Sequence, residues 1–434
     1  MNAIAAATLS ALLWAANAAP PPPLTVEEVV KQRDAGSAEA ELLQAIERQG
    51  VNMETTAESF AKLKDSKFSE ALEAAVRGAA VRRAIFTGKL LFAARGKHCQ
   101  QCGSRGVLPC PKHGATDFII TSQDKDLPPC CAGLAWLECP ACGDIVTKTA
   151  IEELKRWLAR RMAWWKEMDK GLGHELFHGE TRHFALDTDL PARDAPKLAV
   201  PCEETILKLQ TLFRCDAFGV TGPLTTRLIS VDKVASFTRF FEWAAPNMPP
   251  EQKQKLTQSA SLISSGPSTL AIHARERRGG STVYSLVHAL GHSIIHRYTG
   301  ADERLQLPAW ITEGFSSFCE ALQLKQPVCW CIDYDPKTIT PGVQWKEAVR
   351  TAAQAGKTVP LEMLLTKRLT ELKALDYQQS WSVTSALIYG GPDKYLKFLD
   401  AIKARNDQVE SLEKAYNCKI DQIELIWRNY AASQ

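Results

Sequence analysis

Apolar residues recur at helical spacing through much of this chain, and the rhythm changes in places that divide it. Between residues 24 and 95, Leu42, Leu43 and Ile46 repeat at helical intervals, as do Phe68, Leu72, Ala75 and Val76, which predicts a helical region. Residues 96–147 lose this periodicity and are rich in Cys, Gly and Pro. A helix returns at 150–170, with Leu154, Trp157, Leu158, Met162, Trp164 and Trp165 as an expected packing stripe, and a helical linker is expected over 148–180. From about Thr181 the strand-like runs HFALDTD, TTRLISVD and STLAIHARE alternate with helical segments, and after residue 345 the pattern is mainly helical. The expected fold is α+β, with a small sheet plus helices forming a main domain over 181–434. No repeat of solenoid period is present.

With 434 residues the chain suits two or three domains. It is 45% hydrophobic and 23% charged, and its net charge is only +3, so nothing in the balance calls for nucleic acid or an anionic membrane as a partner. The first residues, MNAIAAATLSALLWAANAAPPPP, join an apolar run over Ala3–Ala16 to the small residues Ala16-Asn17-Ala18. That shape predicts a signal peptide over 1–18, although its leading segment has no Lys or Arg. A secreted or periplasmic protein without a stable membrane span is expected, since the run is short for a transmembrane helix. Pro20–Pro23 then reads as a stiff spacer.

Seven of the thirteen cysteines lie between Cys99 and Cys142. Cys99-x-x-Cys102 and Cys139-x-x-Cys142 are two knuckles that can present four thiolates to one tetrahedral Zn²⁺, a structural site with no open position. Cys110, His113, Cys130 and Cys131 lie between them at irregular spacing and offer a second structural set. The competing reading is a disulfide knot in an exported protein. Outside the cluster, Cys202 with Cys215, and Cys319 with Cys329 or Cys331, are candidate disulfide pairs. The run Cys102-Gly-Ser-Arg-Gly106 faintly resembles one repeat of the cysteine-rich domain of Hsp40-type chaperones, over about 50 residues with degenerate middle repeats. A zinc-ribbon-like module over 96–147 is therefore expected.

Residues 281–298, STVYSLVHALGHSIIHRY, predict a helix with Val283, Leu286, Val287, Leu290, Ile294 and Ile295 on its apolar face. His288 and His292 stand four residues apart, so a helix puts both imidazoles on one side. Glu313 follows in Trp310-Ile311-Thr312-Glu313-Gly314. The order of these motifs resembles the gluzincin metallopeptidases, the thermolysin-like and aminopeptidase-like clan, over about residues 181–434. The resemblance implies a thermolysin-like domain in which His288, His292 and Glu313 hold zinc and leave a fourth position open. It also implies a substrate-binding edge strand at LAIHARE, and a possible transition-state role for Tyr377, which opens a later helix.

One departure changes the chemistry that the resemblance implies. The general-base glutamate of the H-E-x-x-H motif is replaced by Ala289, and a methyl group accepts no proton. Ser317 stands where several gluzincins carry an acidic partner for the histidines, and Glu320 is a candidate substitute. His296 extends the stripe and permits a shifted His292/His296 pair. A literal H-E-x-x-H lies at His174-Glu175-Leu176-Phe177-His178, but glycines flank it and no Trp-x-x-Glu-Gly segment follows closely. The leading expectation is a degenerate, peptidase-like protein that binds peptide or protein. The alternatives are an active zinc peptidase using Glu320 or Glu175 as base, and a cysteine-rich zinc-binding adaptor with a passive C-terminal domain.

Overall fold

The computed structural model describes residues 23–53, 55–87, 102, 107–114, 116–124, 126–134, 136–142, 144–214, 226–259, 261–264, 269–278, 282–299, 307–328 and 345–433. The expected signal peptide lies outside them. The described chain is a mixed α and β structure with many helices and small sheets, which agrees with the α+β expectation.

The N-terminal region consists of α1 (Val26–Asp34), α2 (Glu39–Gln49), α3 (Ala57–Lys62) and α4 (Glu70–Thr87). A capping box starts α1: Glu28 N–H donates to the Thr25 hydroxyl at 3.1 Å, and Thr25 N–H donates to the Glu28 carboxylate at 2.7 Å. Leu42, Ile46, Leu72 and Val76 are buried together with Val29, so the periodic positions form this region's own small core. In the cysteine-rich module, β1 (Val107–Pro109) and β3 (Trp136–Glu138) form an antiparallel ribbon, with β2 (Ile120–Thr121) between them in sequence.

Helix α5 (Asp144–Leu172) buries Leu154, Leu158, Arg161, Trp165, Met168 and Leu172, a repeat of three and four residues. Trp157 and Trp164 are half-buried, and Met162 is exposed, off the stripe where it was expected. Gly173 ends the helix at φ +74°, a left-handed conformation that a side chain would strain. The chain then enters β4 (Phe177–Glu180), so the segment expected as helical linker over 148–180 finishes as a strand. The reason is tertiary: β4 is paired on both sides, by β2 and by β5 (Ala185–Thr188).

The six-stranded sheet has the order β2-β4-β5-β6-β8-β7, where β6 is Thr226–Val231, β7 Ser261–Ser264 and β8 Thr269–Ala274. The pairs β5/β6 and β6/β8 are parallel, and the outer pairs are antiparallel. The crossovers contain α6 (Pro196–Phe213), then α7 (Val234–Ala244) with α8 (Pro250–Ser259). Strand alternation divides the sheet's contacts. Leu228 and Ala271 face the large core shared with α6 and the C-terminal helices, while Ile229, Val231, Ile272 and Ala274 face α5 and α7. LAIHARE was expected to supply the edge strand. Instead β8 is interior, and the antiparallel edge beside it is β7.

A one-turn helix, α9 (Arg275–Arg278), leads to the C-terminal helices: α10 (Thr282–Thr299), α11 (Ala309–Leu324), α12 (Trp345–Gln354), α13 (Leu361–Thr366), α14 (Ala374–Gly390), α15 (Pro392–Lys403), α16 (Gln408–Tyr416) and α17 (Ile420–Ser433). Helix α11 packs between α10 and α14, and Phe315, Phe318 and Trp310 are fully buried. Removing each such side chain from water stabilises the fold by about 1.5–3 kcal/mol. Among the described residues no helix is long and apolar enough to cross a membrane.

Candidate metal centre

Helix α10 carries His288 and His292 one turn apart, and both face α11. It is anchored on the sheet beside them, where the hydroxyls of Thr226 in β6 and Ser293 lie 2.6 Å apart. Helix α11 starts after Pro308 and places Glu313 in its second turn. Two glycines let three helices come close. A Cβ on Gly291 would lie 2.6 Å from the Ser316 Cα, and a Cβ on Gly314 would lie 2.6 Å from the Ser380 carbonyl oxygen. Neither position tolerates a side chain without backbone movement, so Gly291 sets the α10–α11 spacing and Gly314 sets the α11–α14 spacing.

At that spacing three donor atoms converge. His288 Nε2 and His292 Nε2 are 3.1 Å apart, and Glu313 oxygens lie 3.4 Å from the first and 3.5 Å from the second. A tetrahedral site with bonds of 2.0–2.2 Å has edges of about 3.3–3.6 Å, and these separations, with Oε2 facing His288 and Oε1 facing His292, are close to that range. His288, His292 and Glu313 are all buried. Glu313 Oε2 receives no hydrogen bond among the described residues, although an unmatched buried carboxylate oxygen is costly. The residues present fit a divalent metal.

His288 is oriented by a carboxylate, and His292 is favoured in its neutral form. His288 Nδ1 donates to Glu320 Oε1 at 2.6 Å, which turns the Nε2 lone pair toward Glu313, and Val328 N–H donates to Glu320 Oε2 at 2.7 Å. Burial, reinforced by the neighbouring His288 and His296, holds His292 well below the ordinary histidine range. Burial also lowers His296 to about 4. Neutral rings are the ligating form. His296 lies farther along α10, its ring centroid 6.4 Å from that of His292, and the atoms that converge with Glu313 belong to His288 and His292.

Ala289 is fully buried beside the triad and brings no carboxylate. Glu320 orients His288, and its second oxygen is taken by Val328, so it is not placed as a general base. Ser317 is buried on α11 and contributes no acid. Tyr377 is buried in the first turn of α14, one turn before Ser380, the residue against which Gly314 packs.

The literal H-E-x-x-H does not form a helical pair. His178 lies in β4, stacked on Trp165 with ring centroids 5.4 Å apart. Its Nδ1 is 2.7 Å from Asp187 and its Nε2 3.0 Å from Asp169, so both ring nitrogens are engaged. His174 Nδ1 is 3.3 Å from the Leu172 carbonyl oxygen in the turn after α5, and Glu175 is exposed. The glycine-terminated helix and the sheet pairing together override the five-residue pattern.

In the cysteine-rich module, Cys102, Cys139 and Cys142 cluster, with the Cys102 and Cys142 sulfurs 3.3 Å apart. Cys99, their expected fourth partner, lies outside the described residues. Cys110, His113, Cys130 and Cys131 form a second cluster. Each of these two groups, like the histidine triad, could hold a metal ion, and the donor chemistry is compatible with zinc. Cys202 and Cys319 are buried thiols, which burial pushes well above the ordinary range, and their expected disulfide partners Cys215, Cys329 and Cys331 lie outside the described residues.

Compared with family models, with characterised proteins and with solved structures, this chain matches none.

The residues that set the centre's geometry but were missed as such are Gly291 and Gly314. Both adjoin a ligand motif, and a glycine inside an otherwise strong helical pattern is the available signal, since it costs about 1 kcal/mol there and calls for a packing reason. The network of Asp169, His178, Asp187 and Arg227 was also missed, because its members come from a helix and three strands far apart in sequence.

Proposed function

We propose that this chain is an exported, peptidase-like protein of gluzincin type. In this reading His288, His292 and Glu313 hold zinc, and the protein binds a peptide or protein segment with little or no hydrolysis. The observation that carries the reading is the buried convergence of two imidazoles and a carboxylate, one of whose oxygens receives no hydrogen bond among the described residues, with an alanine at the base position. Zinc, when bound, would supply polarisation of a substrate carbonyl. The chain's own residues supply ligands and orientation: Glu320 sets the His288 tautomer, and burial keeps His292 neutral. Among the described residues no proton acceptor stands at the base position. The Ala289 methyl cannot act, Glu320 is committed on both oxygens, and a serine hydroxyl such as that of Ser317 is a poor base near neutral pH.

The antiparallel edge strand β7 precedes β8 and the histidine helix, which supports a site for an extended peptide added along the sheet edge. The same reading makes the sheet and the helices after it a thermolysin-like domain. It gives Cys102, Cys139 and Cys142, with Cys99, a structural zinc. Tyr377 is assigned the second-rank role of stabilising bound carbonyl groups.

The test is zinc content and peptidase turnover of the purified full chain, beside His292→Ala and Glu313→Gln. Each variant is expected to lose one zinc equivalent, and the wild type to show no turnover above background while retaining peptide binding. Unchanged zinc content in both variants, or robust zinc-dependent hydrolysis by the wild type, would refute the proposal.

A further inference from the structure

The second cysteine cluster sits where the module meets the sheet. Cys110 directly follows β1, and Cys130 and Cys131 lie in a tight turn in which both Cys131 N–H and Ala132 N–H donate to the Pro128 carbonyl. Ala132 and Gly133 continue that turn at φ +49° and +72°. The His113 ring lies against both sulfurs of the pair, with Nε2 3.9 Å from Cys130 Sγ and Nδ1 3.8 Å from Cys131 Sγ; the two sulfurs are 3.9 Å apart, and one ligand atom from each of Cys110, His113, Cys130 and Cys131 lies within 4.8 Å of the others. A disulfide would need about 2.05 Å. A tetrahedral zinc with bonds of about 2.3 Å to sulfur and 2.0–2.1 Å to nitrogen has S···S edges near 3.8 Å and S···N edges near 3.5 Å. The S···S separation matches a metal-site edge and the four ligand atoms lie close enough to converge on one ion with a small ring adjustment, and three thiolates with one imidazole select zinc over hard cations.

The register of the ribbon separates this cluster from the other one. Pro109 pairs with Trp136, and Val107 pairs with Glu138. Cys110 therefore leaves one end of the ribbon, and Cys139, which belongs to the first cluster, leaves the other.

From His113 onward the chain is fastened to the sheet. Arg182 Nη2 donates to the His113 carbonyl at 3.2 Å, the Phe118 ring meets the Phe177 ring edge-on, and Ile119 N–H donates to the Glu180 carbonyl at 2.7 Å. Ser122 N–H donates to the His178 carbonyl at 2.8 Å. Ile119 also packs with Cys110 and Cys131 in a cluster whose other members are Cys130, Trp136 and Leu137. That apolar group is small; Ile120 of β2 and Leu134 are held besides in a larger cluster with Leu154, Leu158 and Trp165, so the cysteine turn itself is the part with least burial behind it.

We propose that Cys110, His113, Cys130 and Cys131 form a Cys₃His zinc site that clamps β2 onto β4 and so closes one edge of the six-stranded sheet. Without the metal, the three thiols and the imidazole are no longer tied to one point, β2 loses one of its anchors, and the edge of β4 opens more readily. The clamp makes the cysteine-rich module part of the sheet rather than a tethered adaptor. This site is independent of the histidine triad.

The experiment uses the full chain purified with zinc present. Zinc per chain is measured for the wild type, Cys131→Ser and His292→Ala, and amide exchange is followed in peptides covering 119–122 and 177–180. Cys131→Ser is expected to lose one zinc equivalent and to exchange faster in both peptides, while the 282–299 peptide is unchanged. In wild-type protein, titration with a mercurial should release zinc in step with thiol modification, which keeps the test valid if the variant fails to fold. Three results would each overturn the proposal: unchanged zinc content in Cys131→Ser, faster exchange absent from 119–122 and 177–180 after zinc loss, or Cys110, Cys130 and Cys131 found oxidised in the native protein.

Discussion

Gly291→Ala tests whether the triad depends on close helix approach. The new Cβ would stand 2.6 Å from the Ser316 Cα, 3.0 Å from its hydroxyl oxygen and 3.1 Å from its Cβ. Ordinary carbon–carbon contact is about 3.5–4.0 Å, so α11 must retreat from α10 by about 1 Å. Glu313 lies one turn before Ser316 on the same helix and moves with it. Its distances of 3.4 and 3.5 Å to the two imidazole nitrogens then grow to about 4.5 Å, outside the range that one ion with bonds of 2.0–2.2 Å can bridge. Two stability effects oppose one another. Alanine gains about 1 kcal/mol over glycine within a helix, and overpacking costs about 1–3 kcal/mol. The metal-free protein is therefore expected to be slightly destabilised, while the stabilisation that zinc gives is largely lost. Thermal melts with zinc and with a chelator, together with zinc affinity by competition with a chromophoric chelator, read the two effects separately. A Gly291→Ala protein that melts higher and binds zinc as tightly as wild type would refute the reasoning.

Four further outcomes are expected. Ala289→Glu should create zinc-dependent peptide hydrolysis, since general-base assistance is worth about 10²–10⁴ in rate; the comparison is with wild-type turnover on the same peptides. Glu320→Ala should weaken zinc binding at the histidine site by about 10–100-fold, because His288 loses the acceptor that orients it; equilibrium dialysis measures this. Burial alone would raise the Asp187 carboxyl, but Arg227 and His178 hold it below its ordinary 3.8. Its stabilisation is therefore full above about pH 3.8 and is lost as pH falls through the lower folded value. Asp187→Asn, which leaves Arg227 without its buried partner, should cost about 3–5 kcal/mol at pH 7 and flatten that acid limb in denaturant titrations. Finally, N-terminal mass spectrometry of material from its native host should place the mature start near Ala19, and an intact Met1 would remove the case for export.

Much of the candidate centre was legible because its spacing is local. His288 and His292 share a helix face wherever a helix forms, and the apolar positions around them make that helix secure. The same holds for the core positions of α2, α4 and α5, where period alone located Leu42, Leu72, Leu154 and Leu158. Met162 fell outside the stripe because only contact with a neighbour decides which side of a broad apolar face is covered. His174 and His178 have the same four-residue spacing as the candidate pair His288 and His292, yet Gly173 ends the helix and sheet pairing draws His178 into β4.

Sequence by itself determined the helical periodicity of most segments, the residue types at the candidate donor positions and the alanine at position 289, since these follow from residue type and from spacing within one element. Tertiary structure decided which donors meet. Glu313 reaches the histidines through two glycine contacts between helices, Glu320 rather than Ser317 supports His288, β7 rather than β8 forms the sheet edge, and His113 reaches Cys130 and Cys131 across a turn. Each of these is a distance between segments remote in sequence, set by how helices and strands pack, and no periodicity along the chain encodes it.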